Sequence, residues 1–149
     1  MSASLSELMT EHHKACDDAW ALAEQCASEA RWADAGAALQ NFLDGMARHL
    51  TLEENVIFPA FEAATGITQG PTRVMRFEHD HLRALFQKLE AALAAKDEVG
   101  FAGAGETMLV LMQQHNMKEE HMLYPACDSS IGGDAALLTR VEAALEHAR

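Results

Sequence analysis

The chain has 149 residues, 49% of them hydrophobic, and carries 23 acidic against 11 basic side chains, a formal charge of −12. That length can bury a sizeable core in one domain without covalent staples. The acid excess repels phosphate backbones and anionic lipid surfaces, so neither nucleic acid nor a membrane is an expected partner.

Ala, Leu, Met and Glu are plentiful while Val, Ile, Tyr and Thr are scarce, which predicts helices and little sheet. The first helix opens on a capping-box pattern, Ser4-Leu5-Ser6-Glu7, places apolar or small residues at 5, 8, 9, 16, 19, 23 and 26, and fades between Ser28 and Arg31. The second starts after Asp34, runs through Leu39, Phe42, Met46, Val56 and Ala60, and ends near Ala64. A loop over residues 65–70 follows, and Pro71 suits the first turn of the third helix. That helix carries Met75, Leu82, Phe86, Leu89 and Leu93 in one stripe as far as Lys96. The fourth opens weakly from Val99 to Gly105 and strengthens at Met108, Leu111, Met112, Met122 and Leu123. A short fifth helix is expected between Asp134 and His147, after Gly132-Gly133. Long helices with short connections imply antiparallel neighbours. The expected fold is therefore an all-α, antiparallel up-down four-helix bundle with a short C-terminal fifth helix.

Two stretches repeat. His49-x3-Glu53-Glu54 and His115-x3-Glu119-Glu120 each run on through an aliphatic and an aromatic residue into Pro-Ala, at an offset of 66 residues. An earlier echo pairs Glu11-His12 with Glu78-His79, at an offset of 67. The repeats predict one domain over residues 1–149 built from two duplicated helix pairs, about 5–64 and 71–128. Histidine and glutamate four apart leave one helix face with Cβ atoms roughly 5–6 Å apart, so both pairs can serve one metal or a bridged pair of metals. His12 falls in the stripe between Met9 and Cys16, and His79 between Met75 and Leu82. Counting from the turns at ~1.5 Å per residue puts all six groups at one level of the bundle.

A lone histidine on an apolar face is ordinarily a satisfied core residue. Four histidines and two glutamates buried together without a cation would instead leave unpaired charge in the core. The predicted ligands are therefore His12, His49, Glu53, His79, His115 and Glu119. Imidazole with carboxylate suits iron, zinc or manganese. Six inward donors are too many for one open site and suit two metals bridged by two carboxylates. Two iron ions are preferred, with zinc or manganese as alternatives. His13 and His81 point about 100° and 200° away from His12 and His79, which places them in solvent or behind the ligands. His121 also tends outward, and whether His13, His81 or His121 serves as a fifth ligand or proton relay stays open. Glu11 and Glu78 read first as surface charge, with orientation of an imidazole or proton shuttling as the alternative. Cys16 reads as core packing, and the glycines at 100, 103 and 105 as a flexible helix start.

Over residues 5–128 the chain resembles the hemerythrin-like, or HHE cation-binding, family. The motifs that carry the likeness are His12 after an acidic residue, His49-x3-Glu53, Glu78-His79 followed by Leu82-Arg83, and His115-x3-Glu119 with Tyr124-Pro125. The resemblance implies an oxo- or hydroxo-bridged non-haem di-iron centre handling oxygen, nitric oxide, peroxide or iron. Oxygen carriers of this family use a fifth histidine where Arg83 stands, and an aspartate spaced differently from Glu119. The symmetric four-histidine, two-glutamate set looks closer to proteins that repair iron centres after nitrosative or oxidative stress. Those commonly carry an N-terminal cysteine-bearing domain with no counterpart here.

The expected function is binding, sensing or reaction with a small oxidant or diatomic ligand. A peroxide-removing or iron–sulfur cluster repair enzyme is the first alternative, and a helical interaction module with a structural metal the second; whether the chain is an enzyme stays open. Cys16, Cys26 and Cys127 lack a CxxC spacing and predict neither a disulfide framework nor a thiolate zinc site. With no basic leader and no apolar run near the ~20 residues of a membrane span, the expected location is cytoplasmic.

Overall fold

The computed structural model describes residues 3–146, and among them every regular element is helical. Helix α1 (Leu5–Ser28) starts where Ser4 Oγ accepts the Glu7 backbone N–H. Helix α2 (Trp32–Leu52) passes through a π-helical turn (Glu53–Ile57) into α3 (Phe58–Thr65), which closes on Gly66 at φ 73°. Glycine fits that left-handed position without strain. Helix α4 (Pro71–Ala94) follows, with proline in its first turn. Helix α5 (Glu98–Lys118) passes through a second π turn (Glu119–Leu123) into α6 (Tyr124–Ile131), and α7 is Ala135–Glu146.

Packing follows the hairpins: α1 lies on α2 and α4 on α5, while α1 also meets α5 and α2 meets α4. This is the expected four-helix bundle with α7 as the short extra helix, laid against α1 and α2. The expected end of α7 at His147 lies outside the described residues. Two starts differ from expectation. Trp32 begins α2 two residues before Asp34, and α5 is regular from Glu98 through the glycine-rich stretch. There Asp97 caps the Gly100 N–H at 2.9 Å, and Gly105 lets Trp20 pack so close that a Cβ would meet its ring at 2.5 Å.

The interior falls into two apolar clusters. One, around Trp20, Phe42, Phe86, Phe101 and Met108, fills the end nearer the α1–α2 and α4–α5 turns. The other, around Met9, Phe58, Phe61, Met75 and Tyr124, fills the end at the loop over residues 65–70. A layer of buried histidine and glutamate lies between them.

Candidate metal centre

The π turns place the acidic residues. Pro59 and Pro125 have no N–H, and each ring would clash with the carbonyl four residues back in an α-helix. The helix widens instead: the Phe58 N–H reaches Glu53 O, and the Tyr124 N–H reaches Glu119 O, five residues back. Insertions of this kind are rare and concentrate at functional sites. The extra residue brings Glu119 and Tyr124 onto one face, and Tyr124 donates to Glu119 Oε1 at 3.0 Å or to Glu53 Oε2 at 2.8 Å. Beside Pro59 the Glu54 carbonyl accepts from Arg76 Nη1 at 3.1 Å instead.

Five of the six expected residues converge. Ligand atoms of Glu53, His79, His115 and Glu119 lie within 4.8 Å of one another, and a second group joins His13, His49 and Glu119 under the same limit. His12 belongs to neither group: its Nδ1 meets His49 Nδ1 at 2.8 Å, behind the cluster. His13, expected first in solvent or behind the ligands and left open as a fifth ligand, is buried and aims Nε2 at Glu119 Oε1 (3.2 Å) and His49 Nε2 (3.1 Å). The physical reason is register. A single offset of 66 aligns His13 with His79 and His12 with Glu78, whereas the Glu-His echo at 67 is one residue, about 100° of helix, out of step. His13 keeps the α1 stripe as well as His12 does, four residues after Met9 and three before Cys16.

Carboxylates hold three of the four imidazoles from behind. His13 Nδ1 contacts Glu120 at 2.6 Å, His79 Nδ1 contacts Glu54 at 2.7 Å, and His115 Nδ1 contacts Glu78 at 2.9 Å. For Glu78 the alternative expectation, orientation of an imidazole, fits better than surface charge: it is half-buried and bound as well to Lys118. Arg83 grips both oxygens of Glu54, at 2.9 and 2.8 Å. His81 and His121 are exposed, as expected.

Glu53 and Glu119 are fully buried and close together, so they do not ionise alike. Burial and the neighbouring Glu119 raise Glu53, whereas Glu119 is lowered despite burial by bonds from Glu53, His115 and His13. Burial and both carboxylates push Tyr124 well above its ordinary value, so it stays a phenol and a donor. Burial lifts the Cys16 thiol to about 12, with help from Asp17, so no thiolate forms at neutral pH.

Four buried atoms in this layer make no hydrogen bond of ordinary geometry: Glu53 Oε1, His79 Nε2, His115 Nε2 and Glu119 Oε2. The two imidazole nitrogens have only ion-pair contacts, His79 Nε2 with Glu53 Oε1 at 3.2 Å and His115 Nε2 with Glu119 Oε1 at 3.3 Å. Buried polar atoms are ordinarily paired. Here two acceptor oxygens and two imidazole nitrogens are directed into one small space, the arrangement a cation completes. The oxygen and nitrogen donors fit a divalent metal such as iron, zinc or manganese.

No helix among the described residues is long and apolar enough to cross a membrane. No solved structure matches the chain significantly. Among curated proteins, the iron-sulfur cluster repair protein YtfE of Musicola paradisiaca is 31% identical over 102 residues, 60% of this chain and 44% of that protein. The chain thus spans less than half of that relative's length. The Hemerythrin HHE cation binding domain profile matches residues 4–127, which takes in every residue of the cluster. A helical bundle with a central His/Glu layer and a match of that extent place the chain in the hemerythrin HHE cation-binding family.

Proposed function

We propose that the chain is a non-haem di-iron protein that binds, senses or reacts with oxygen, nitric oxide or peroxide. Four buried polar atoms directed into one cluster without an ordinary hydrogen bond carry this reading. The proposed ligands are His13, His49, Glu53, His79, His115 and Glu119. One imidazole pair, His13 with His49, would hold one metal and the other, His79 with His115, the second, in keeping with one domain of two duplicated halves. Bound iron would supply redox and Lewis-acid chemistry. The chain's own residues do the rest: Tyr124 donates to the carboxylates, Glu54, Glu78 and Glu120 fix imidazole orientation, and the two apolar clusters exclude water. His12 borders a cavity of about 210 Å³ between α1 and α7 and also contacts His49 of the cluster. The buried free cysteines suit a reducing compartment such as the cytoplasm.

Repair of iron–sulfur clusters, or peroxide removal, is the second reading, and the repair protein's similarity favours repair. Metal analysis with an optical spectrum of aerobically purified protein tests both. Two irons per chain, near-ultraviolet absorption of a diferric centre and a spectral response to oxygen, peroxide or nitric oxide are expected. Fewer than one metal per chain would overturn the di-metal reading, and a loaded centre silent to all three ligands would leave the metal structural. Peroxide loss far exceeding one turnover per site, or iron delivered to a damaged cluster, would favour the enzyme.

A further inference from the structure

We infer that the two imidazole pairs hold metal unequally, with His79 and His115 retaining it and His13 and His49 releasing it first, because His12 stands where the other pair has Glu78. The inference rests on the di-metal reading above and concerns how this chain's own residues divide that centre.

The matched positions differ in chemistry. His115 Nδ1 donates to the Glu78 carboxylate at 2.9 Å, and Glu78 is in turn bound by Lys118. Sixty-six residues earlier, His49 Nδ1 meets His12 Nδ1 at 2.8 Å. For His49 to offer Nε2 to a metal, its proton must sit on Nδ1, and His12 must accept it through a neutral ring nitrogen. A carboxylate partner draws that proton and makes the imidazole a stronger donor to metal; a neutral imidazole does so less.

The other two imidazoles repeat the bias. His79 rests on Glu54, which Arg83 clamps through both oxygens, at 2.9 and 2.8 Å. His13 rests on Glu120, whose side chain is 30% exposed, and the residue matching Arg83 is Asp17. Among the described residues, the second pair is held directly by two carboxylates that are themselves anchored, and the first pair by one carboxylate, with no cation clamped onto it, and by the His12 imidazole. Surplus negative charge at Asp17 pulls the other way by attracting a cation. Asp17 is exposed, however, and water screens its field, so the directly bonded partners decide.

The test is titration of the metal-free full chain with ferrous iron under anaerobic conditions, read by calorimetry and chelator competition. Two steps separated by about 10-fold or more are expected, the size typical of one partner behind a ligand. His12→Glu should narrow the gap by strengthening the weaker step, while His12→Gln, a neutral acceptor, should leave it. His13→Ala should delete the weaker step and spare the tighter one, which also reports that the variant is folded. Should His12→Glu not fold, Glu78→Gln carries the same test by weakening the tighter step. Two equal steps in the unaltered chain, an equal response to His12→Glu and His12→Gln, or loss of the tighter step in His13→Ala would each overturn the inference. Equal steps would leave the di-metal reading standing, whereas a chain that takes up no iron would overturn that reading itself.

Discussion

The two halves of the bundle bring the same residue types into the buried His/Glu cluster and set different residues behind them. At an offset of 66, His13 matches His79, His49 matches His115 and Glu53 matches Glu119. Around this shared set, Phe58 matches Tyr124, Asp17 matches Arg83, Leu52 matches Lys118 and His12 matches Glu78. Phe58 stacks on His79, at 5.7 Å between centroids, and carries the Arg76 guanidinium over its ring at 5.3 Å, whereas Tyr124 hydrogen-bonds to carboxylates from both halves. The π turns that set the glutamates are common to both halves, and the charges that steady the imidazoles are concentrated around His79 and His115. Donor identity and donor support are thus separate properties, and only the first is symmetric.

The severest test removes the group both pairs share. Glu119 takes part in both ligand clusters, while Glu53 takes part in one. Glu119→Ala should reduce bound metal to less than one per chain. It should also destabilise the metal-free chain by about 3–5 kcal/mol, because His13 and His115 lose a buried partner. Metal analysis and urea unfolding measure the two effects. Retention of two metals would show that the pairs do not depend on a common carboxylate.

Much of this symmetry was legible in the sequence, because histidine and glutamate four apart share a helix face wherever the helix runs. Four of the clustered residues followed from that pattern, and the bundle, the long helices and His79 followed from the apolar stripes. His13 did not. His12 and His13 both lie within the broad buried stripe of α1, and adjacent residues there cannot be ranked by periodicity. The repeat itself held the signal, since a single offset of 66 pairs His13 with His79. The π turns were masked because proline in a helical pattern reads as a helix start or end, and only the widened turns of α2 and α5 show the third outcome. Glu78 read as surface charge because its partners, His115 and Lys118, come from another helix.

Tyr124→Phe would make the two halves alike at this position. It strips a buried donor from Glu53 Oε2 and Glu119 Oε1, at a cost of about 1–3 kcal/mol in the metal-free chain. Thermal unfolding of metal-free and loaded forms checks this. A loss confined to the loaded form would mean that the phenol serves the metal rather than the carboxylates.

The matched histidines His49 and His115 should respond to pH in opposite senses when no metal is present. His115 is raised to about 9: burial lowers it, but Glu119, Glu53 and Glu78 outweigh burial. Its contribution is complete below its unfolded value of 6.5 and is lost as pH rises through about 9. Burial leads in lowering His49 well below 6.5, so its contribution is present above 6.5 and is lost as pH falls through the lower folded value. Unfolding midpoints followed across pH should therefore fall on both sides, with His115→Gln flattening the alkaline loss and His49→Gln the acid one. Unchanged profiles in both variants would place the pH dependence elsewhere.

The smallest effect is expected from exchanging the charges outside the imidazoles. Arg83 is 40% exposed, and its paired bonds to Glu54 lie at the edge of the bundle, where water screens them. Exposed pairs of this kind contribute about 0.2–1 kcal/mol, so Arg83→Gln should cost no more than that, and less at high salt. At the matched position Asp17, although exposed by surface area, is raised first by partial desolvation, and Glu120 and Asp18 add to this against the opposing pull of His13. Asp17→Arg would set a cation beside Glu120 and should gain a similarly small, salt-sensitive amount. If the gain persists in high salt, it comes from packing of the arginine stem and not from charge, and the contrast between the halves at this position is one of shape.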